Sequence, residues 1–423
     1  MSDKKFVNNF ITMLTGNTIS QLIPFIVASF LARIYLPSEF GMFSNILALS
    51  TLFGIVSCGR LELAIPLPKN KNSAQDILFT ALAITLAITI VSCIIFLFKY
   101  QIGKFYEDKY LSNYLVYVPI CVLSFGLMGV TNNWILRNKE YTKLSRIKII
   151  QSVINNFGAL LLGYIGFGIH GMLIAWLLSQ FIPVIYILFK EKISWNRERF
   201  SLLTIKSVLN EYRDFPLINS LHAFTDIFAT QVLLFWIISA FYGEENLGLF
   251  AQMNKYIKAP IVLITSTVSQ IFYVEVSKAI NDKTLIMPYL MQSLKTTFLF
   301  AIPFSLVIFL FGPQLFSIYF GEKFIDYGIA GQMAQAILPI LFLMFIVSPI
   351  SGLPILFKKQ TKAFFMSLFG YAFGITGLYL GILSKYNLVN SLIIYGLMFS
   401  IYYILLLSWY IKMIKSHDAS LML

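Results

Sequence analysis

The stretch KEKISWNRERFSLLTIKSVLNEYRDF, residues 190–215, is the longest hydrophilic run of the chain and lies near its midpoint. Apolar residues recur at helical spacing from Leu202 to Tyr212, while Lys206 and Arg213 lie on another face. This pattern is typical of a short helix on an anionic membrane surface, and an ordinary solvated linker helix is the alternative. We interpret the stretch as a cytoplasmic linker between two hydrophobic halves. Its basic residues are Lys190, Lys192, Arg197, Arg199, Lys206 and Arg213.

The composition on either side of this linker excludes a soluble protein. The chain has 423 residues, of which 58% are hydrophobic and 12% are charged, whereas soluble domains carry about 25% charged residues. Its net charge is +13. Such an excess in a soluble protein suggests nucleic acid as a partner, but here the basic residues mostly flank hydrophobic spans, where they set orientation and contact anionic lipid. We expect a membrane protein that binds anionic lipid and no nucleic acid.

A membrane-spanning helix needs about 20 apolar residues. On this basis we predict an all-α membrane protein with about twelve transmembrane helices. Prolines inside the spans are tolerated in membranes, where they are expected to kink the helices. The predicted spans are 10–34, 41–66, 77–98, 113–136, 148–167, 169–189, 216–241, 247–272, 287–311, 331–357, 363–383 and 389–411.

Basic residues are distributed unevenly between the two sides of the membrane. With both termini inside, the inner segments hold the linker cations and further clusters within 137–148, 278–283 and 358–362. Lys and Arg accumulate in cytoplasmic loops, so we predict an even number of spans and two cytoplasmic termini. The outer loops are short, and their basic residues are Lys99, Lys104, Lys109, Lys323 and Lys385.

The two halves of the chain resemble each other. The pattern Tyr-x5-Gly-x-Phe occurs at 35–43 after the first span and at 242–250 after the seventh. Residues 135–143 and 355–362 form a second pair of similar segments. With six spans per half, both halves begin on the same side of the membrane, which predicts a parallel repeat. We predict two six-helix lobes, 1–189 and 216–423, joined by the 190–215 linker, with a central cationic cavity between the lobes.

Ionisable residues inside membrane spans are energetically costly and point to function. Arg60 lies about two turns inside the predicted cytoplasmic end of the second span, and its planar guanidinium suits phosphate oxygens. The alternative to phosphate binding is a structural role, in which Arg60 either snorkels to the membrane surface or pairs with Glu62. Because Glu62 is two residues further on, it would point from another helical face. We expect it to position a neighbour or to take part in ion coupling.

The eighth predicted span carries two lysines on one face. Lys255 and Lys258 are three residues apart, with Gln252 beside Lys255. Leucine would be more stable against lipid, so this face is expected to line a wet cavity that binds substrate; interfacial snorkelling of Lys255 is the alternative. Arg33 lies at the outer end of the first span, where it would either anchor the helix at the interface or contact substrate.

Two further polar pairs each share one helical face. Asp226 and His222 could take up a proton, or the carboxylate could hold Na⁺, and a local hydrogen-bonded pair is the structural alternative. Asn17 and Gln21 could meet sugar hydroxyls or join helices to each other.

Motifs for several other functions are absent from the sequence. It has no G-x-x-x-x-G-K-[ST] motif for ATP, and its three histidines and three cysteines have no metal-binding spacing. No outer loop supplies a catalytic surface rich in carboxylates. We expect no enzyme, no metal and no resident cofactor.

The segment RLELAIPLPK, residues 60–69, resembles the R-x-E-L-A-I-x-L-P-K signature of Wzx-type polysaccharide flippases. These belong to the multidrug/oligosaccharidyl-lipid/polysaccharide exporter (MOP) superfamily. A second match is formed by Gly248-Leu-Phe, Pro260 and Ser269-Gln-Ile-Phe-Tyr in the eighth span, and Asp214-Phe-Pro before the seventh span also fits.

This resemblance implies a two-lobed bundle in the bacterial inner membrane. It would move oligosaccharides linked to undecaprenyl pyrophosphate, of the O-antigen (lipopolysaccharide) or capsule type, from the inner to the outer leaflet by alternating access. A polysaccharide polymerase and a chain-length regulator would be its protein partners, and H⁺ or Na⁺ its coupling ion. Arg60 falls directly on the motif, and Lys255 falls on a run in which basic residues vary in role.

A peptidoglycan-precursor flippase of the same superfamily would be expected to carry two additional spans, which the sequence does not show. Two further functions are compatible with parts of the sequence. A drug or cation antiporter of the same superfamily should have mainly acidic residues in its cavity, whereas here the basic residues outnumber the acidic ones. A polysaccharide polymerase or ligase should have a large outer loop, whereas here the largest loop lies inside.

Overall fold

The computed structural model describes residues 2–68, 70–105, 111–138, 140–190, 201–213, 215–320 and 327–422. These residues are almost entirely helical and contain no strand. The chain divides into two compact units, residues 1–248 and 249–423. The lobe boundaries predicted at 189 and 215 stay a prediction.

The first unit is built from helices that follow one another with short connections. These are α1 (Ser2–Ile34), α2 (Pro37–Gly54), α3 (Lys71–Ser92), α4 (Lys99–Phe105), α5 (Leu111–Tyr114), α6 (Tyr117–Arg137), α7 (Tyr141–Tyr164), α8 (Ile169–Lys190), α9 (Leu202–Glu211), α10 (Ser220–Ile227) and α11 (Leu234–Tyr242). Two 3₁₀ segments, Leu61–Ala64 and Cys93–Phe96, and two π-helical segments, Phe215–Asn219 and Phe228–Leu233, interrupt this series.

The second unit continues from α12, whose first five residues belong to the first unit. Its helices are α12 (Glu244–Asn281), α13 (Met287–Phe320), α14 (Gly328–Ala336), α15 (Leu338–Val347), α16 (Leu353–Leu356), α17 (Gln360–Leu383) and α18 (Leu388–Met422), with a 3₁₀ segment at Ser348–Ile350.

Eight described segments are long and apolar enough to cross a membrane. The other predicted spans lie on α1, whose described segment Thr18–Ile34 is apolar but shorter, and on α2, α7 and α12. The fold is therefore that of an all-α, multi-pass membrane protein. The eight segments are Lys71–Ile95, Tyr117–Arg137, Ile169–Ile187, Ala223–Tyr242, Met287–Phe320, Leu338–Leu356, Gln360–Leu383 and Leu388–Leu421.

The glycines of the two repeated motifs lie close to each other in the first unit. A Cβ atom on Gly41 would come within 2.1 Å of the Glu244 carbonyl oxygen, and one on Gly248 within 1.8 Å of the Pro37 carbonyl oxygen. Only a residue without a side chain permits two helix backbones to approach this closely. The repeated glycines therefore allow the first turns of α2 and α12 to cross.

Tyr35, the first residue of the earlier motif, fixes the end of α1. Its hydroxyl donates a 2.6 Å hydrogen bond to the Ala159 carbonyl of α7. Cβ atoms on Gly163 and Gly171 would overlap its ring or hydroxyl, at 2.6 and 2.9 Å. The tyrosine thus fills a space left by glycines of α7 and α8.

Candidate functional site

The chain changes conformation immediately after α2, at the predicted substrate residue Arg60. The prediction of one continuous span over 41–66 is wrong, because α2 ends at Gly54 and the chain continues in tight turns to a 3₁₀ segment, Leu61–Ala64. Ser57 donates both its amide and its hydroxyl to the Gly54 carbonyl, which satisfies an acceptor at the helix end. Gly59 and Arg60 both have left-handed backbones, with φ of 57° and 56°.

Arg60 and Glu62 form an ion pair in this turn. The Nη1 atom of Arg60 is 3.7 Å from Oε1 of Glu62, and the two side chains are 26% and 10% exposed. The expectation that Glu62 points away from Arg60 is wrong, because it assumed an α-helix at this position. Among the described residues, Nε of Arg60 and Oε2 of Glu62 have no hydrogen-bond partner. The ion pair therefore leaves one buried donor of the guanidinium unsatisfied.

Cys58 ties the turn to two neighbouring helices. Its thiol lies 3.3 Å from the Thr85 hydroxyl of α3 and donates to the Gly126 carbonyl of α6 at 3.3 Å. Gly129, one turn further along α6, lies beside Glu62, whose Cγ would be at an ordinary contact distance of 3.5 Å from a Cβ at that position. The ion pair therefore lies next to α6.

Arg137 holds the other end of this segment. From the end of α6, its Nη1 atom donates to the Ile65 carbonyl at 3.3 Å and also to the Pro68 carbonyl. From its position in the sequence, this arginine is only one of the inner-loop cations within 137–148. No local pattern could have paired it with residues about seventy positions away. The Arg60 segment is thus anchored on both sides.

The linker helix α9 packs against the same region. Val208 is buried in a cluster that includes Leu61 of the 3₁₀ segment and Trp134 of α6. Leu202 and Leu203 are 85% and 80% exposed. The structure confirms a helix in this part of the linker, whereas residues 191–200 and 214 lie outside the described residues. Its contact with the membrane surface stays a prediction.

In the second unit, the two predicted lysines lie on α12. Lys255 is exposed, with Nζ 5.3 Å from the ring centre of Tyr256, and Lys258 is half-buried. Gln252, predicted to lie beside Lys255, is buried at 5% exposure. The helix therefore buries the amide of Gln252 and leaves the side chain of Lys255 accessible.

Arg33 lies away from the turn that holds Arg60. It is exposed and lines a cavity of about 710 Å³ between α1 and α7. Exposed aromatic rings of Phe30, Phe157 and Tyr164 share this cavity. Aromatic rings beside a cation are typical of a membrane interface. This environment favours the anchoring interpretation of Arg33.

The remaining candidates are only partly described. Gln21 and Asp226 are half-buried, and Asp226 lies at the end of α10, directly before the π-helical segment Phe228–Leu233. The side chains of Asn17 and His222 lie outside the described residues. Over the described part of the chain, no group of three His, Cys, Asp or Glu residues could hold a metal ion.

Comparisons with solved structures identify the fold. An inward-facing multidrug resistance MATE family transporter matches with a TM-score of 0.71 and 14% identity, covering 96% of both chains. The lipid II flippase MurJ in an inward closed conformation matches with a TM-score of 0.74 and 16% identity, over 97% of this chain and 91% of that chain. A MOP superfamily transporter from Pyrococcus furiosus, whose binding pocket is described as having reverse polarity, matches with a TM-score of 0.65 and 14% identity, over 96% and 95%.

The sequence comparison identifies the family. Among proteins with a curated description, none matches the chain. A family model described as polysaccharide biosynthesis protein matches residues 30–328, which include the Arg60 turn, the linker and α12. The chain therefore belongs to the family of polysaccharide biosynthesis proteins and has the fold of the MOP superfamily transporters.

Proposed function

We propose that this protein is a flippase that moves an oligosaccharide linked to undecaprenyl pyrophosphate from the inner to the outer leaflet of the bacterial cytoplasmic membrane by alternating access. Its family and the likeness of its fold to that of a lipid II flippase support this proposal. The observation that carries it is the partly buried guanidinium of Arg60, held in a non-helical turn within an otherwise apolar helical unit.

A diphosphate headgroup needs cationic partners in order to cross hydrocarbon, because an unpaired charge in the membrane is very costly. Arginine offers a fixed fork of donors that matches phosphate oxygens. Its present partner, Glu62, lies at 3.7 Å, longer than the 2.7–2.9 Å of a strong charge-assisted hydrogen bond. The phosphate would therefore replace a weakly bound carboxylate.

The other predicted residues have supporting roles in this proposal. Lys255 and Lys258 neutralise charge on the substrate, and Asn17 and Gln21 contact the headgroup or its sugars, whereas Arg33 anchors the end of α1 at the membrane interface. Asp226, His222 and Glu62 are the candidates for coupling to H⁺ or Na⁺. An O-antigen or capsule repeat unit is the proposed cargo, with a polymerase and a chain-length regulator as downstream partners and both termini in the cytoplasm.

The experiment that tests this proposal uses three substitutions of Arg60 in a strain that lacks the chromosomal gene. Because the backbone there is left-handed, Arg60→Gly and Arg60→Asn remove the charge without adding backbone strain. Arg60→Lys keeps the charge but loses the planar arrangement of donors that a guanidinium provides. We expect the Gly and Asn variants to lose surface glycan and to accumulate the undecaprenyl-linked form, and the Lys variant to retain partial export.

The control for this experiment is Arg33→Gln, which removes a cation from the α1–α7 cavity. Protein level and membrane insertion are measured for all variants by blotting of membrane fractions. Normal glycan export in Arg60→Gly, at equal protein level, would remove Arg60 from the mechanism. Failure of the deletion strain to accumulate a lipid-linked glycan would exclude the flippase function itself.

A drug or cation antiporter is the second candidate, because multidrug MATE transporters are among the structures of similar fold. Accumulation of a lipid-linked glycan in the deletion strain favours the flippase. Drug hypersensitivity with normal glycan would favour the antiporter.

A further inference from the structure

The first unit has a cavity that the proposed transport mechanism does not use. It measures about 550 Å³ and lies between the beginning of α7 and the end of α8. The residues that line it are Glu140, Thr142, Lys143, Arg146, Ile147, Ile150, Ile182, Pro183 and Tyr186.

The polarity of this cavity changes along the helix axes. The charged residues lie before and within the first two turns of α7, whereas Ile150 lies about 14 Å from the start of the helix, at 1.5 Å per residue. On α8, Tyr186 lies one turn nearer the helix end than Ile182. One end of the cavity is therefore cationic and hydroxylated, and the other is apolar.

The apolar end opens toward the outside of the protein. Ile150 and Ile182 are each 43% exposed, and Ile185 and Tyr186 beside them are 49% and 50% exposed. In a membrane protein, exposed isoleucines on helices that cross the bilayer contact acyl chains. A ligand in this cavity can therefore extend an apolar chain into the surrounding lipid.

The cationic end has charge available for a ligand. Lys143 pairs with Glu140 at 3.2 Å, whereas Arg146 is exposed and has no ion pair among the described residues. The charge distribution of the sequence predicts that this end is cytoplasmic. Anionic phospholipids are concentrated in that leaflet, and basic pockets between transmembrane helices bind their headgroups.

We infer that this cavity is a binding site for one anionic phospholipid. Its phosphate contacts Arg146 and Lys143, its glycerol region lies against Thr142 and Tyr186, and one acyl chain follows Ile147, Ile150 and Ile182. The match between a charged, hydroxylated end and an apolar end that opens into lipid supports a diacyl lipid over a soluble anion.

The test is native mass spectrometry of the full-length protein after delipidation in detergent. It is titrated with phosphatidylglycerol and, separately, with phosphatidylcholine that carries the same acyl chains. We expect one tightly bound phosphatidylglycerol per chain and weaker binding of phosphatidylcholine. Arg146→Ala should lower phosphatidylglycerol affinity about fivefold, as expected for the loss of about 1 kcal/mol from one cation near a lipid phosphate.

Two further variants distinguish a specific lipid-binding site from general electrostatic attraction of anionic lipid to the protein. Ile150→Trp fills the apolar end and keeps all charges, so it should weaken the tight site as Arg146→Ala does. Lys415→Ala removes an exposed cation near the C-terminus and should leave the tight site unchanged. If Arg146→Ala fails to fold, Arg146→Gln, which also removes the charge, and Ile150→Trp carry the test.

Any one of four outcomes would overturn the inference. Equal binding of the two phospholipids would show that charge has no role. Equal effects of Arg146→Ala and Lys415→Ala would show that the attraction is not local. Displacement of phosphatidylglycerol by inorganic phosphate, or stronger binding of undecaprenyl phosphate at this site, would assign the cavity to a soluble anion or to the polyprenyl carrier.

Discussion

Arg60 combines a charge with a backbone conformation that arginine seldom adopts. A non-glycine residue in the left-handed region costs of order 1–3 kcal/mol and persists only when its surroundings hold it. Here the thiol contacts of Cys58 precede the turn, and the two hydrogen bonds from Arg137 follow it. The guanidinium is thus positioned by the fold.

The first prediction concerns Glu62, the carboxylate that pairs with Arg60. Replacing it with glutamine keeps the volume and removes the competing charge. We expect Glu62→Gln to raise the affinity of purified protein for undecaprenyl pyrophosphate about fivefold, since a partly exposed ion pair contributes up to about 1 kcal/mol. Microscale thermophoresis in detergent measures this affinity. Unchanged affinity, with Arg60→Gly still lowering it, would mean that Glu62 is not a competitor.

At the scale of the helices, two prolines have their missing hydrogen bonds replaced from a neighbouring helix. Pro24 cannot donate to the Ser20 carbonyl, and Ser152 of α7 donates to it at 2.7 Å. Pro313 cannot donate to the Phe309 carbonyl, and Gln335 of α14 donates to it at 2.7 Å. Membrane helices tolerate proline through such contacts.

The second prediction tests this replacement in the second unit. Gln335→Leu should destabilise the protein by about 1 kcal/mol, because the Phe309 carbonyl loses its donor in an apolar setting. In a Pro313→Ala background, the backbone N–H at position 313 can donate to the Phe309 carbonyl. Gln335→Leu should therefore destabilise the protein much less in that background. Thermal unfolding in detergent is measured for the wild-type protein, the two single variants and the double variant. The comparison gives the coupling free energy between the two substitutions. Equal costs in both backgrounds would contradict the explanation.

The third prediction concerns the crossing of α2 and α12. Gly248→Ala places a Cβ atom 1.8 Å from the Pro37 carbonyl oxygen, which belongs to the backbone and cannot rotate away. We expect a loss of about 1–3 kcal/mol, the usual effect of overpacking, seen as a lower unfolding temperature. Gly129→Ala on α6 is the matched control, because its Cβ would make only ordinary contacts, at 3.5 Å and beyond. A similar decrease in both variants would contradict the close-crossing interpretation.

At the scale of the whole molecule, the proposed cations are distributed over both compact units. Arg60 belongs to the first unit and Lys255 to the second. Both lie on segments that the family model covers. The proposed mechanism therefore requires each unit to contribute positive charge to translocation.

The fourth prediction tests the contribution of the second unit. Lys255→Ala should reduce glycan export at an unchanged protein level, whereas Lys255→Arg should retain much of it, because the charge is kept. Export is measured as surface glycan in the complemented deletion strain. Equal export by the two variants would mean that the charge of Lys255 has no role.

The membrane class, the helical fold and the approximate positions of the spans can be inferred from the order of the residues alone. Long apolar segments cannot remain in water, and a single chain in lipid must satisfy its backbone hydrogen bonds within helices. The motif at 60–69 and the repeated Tyr-x5-Gly-x-Phe pattern were also readable, because they depend on residue identity and spacing alone.

The local conformation and the partners of Arg60, in contrast, are visible only in the folded chain. Hydropathy could not distinguish a continuous helix over 41–66 from a helix that ends at Gly54, since the residues in the turn are mostly apolar in both cases. The pairing of Arg60 with Glu62 depends on left-handed dihedrals at Gly59 and Arg60, and the anchor from Arg137 depends on contacts between distant parts of the chain. Such contacts arise from packing, which the order of residues along one helix does not specify.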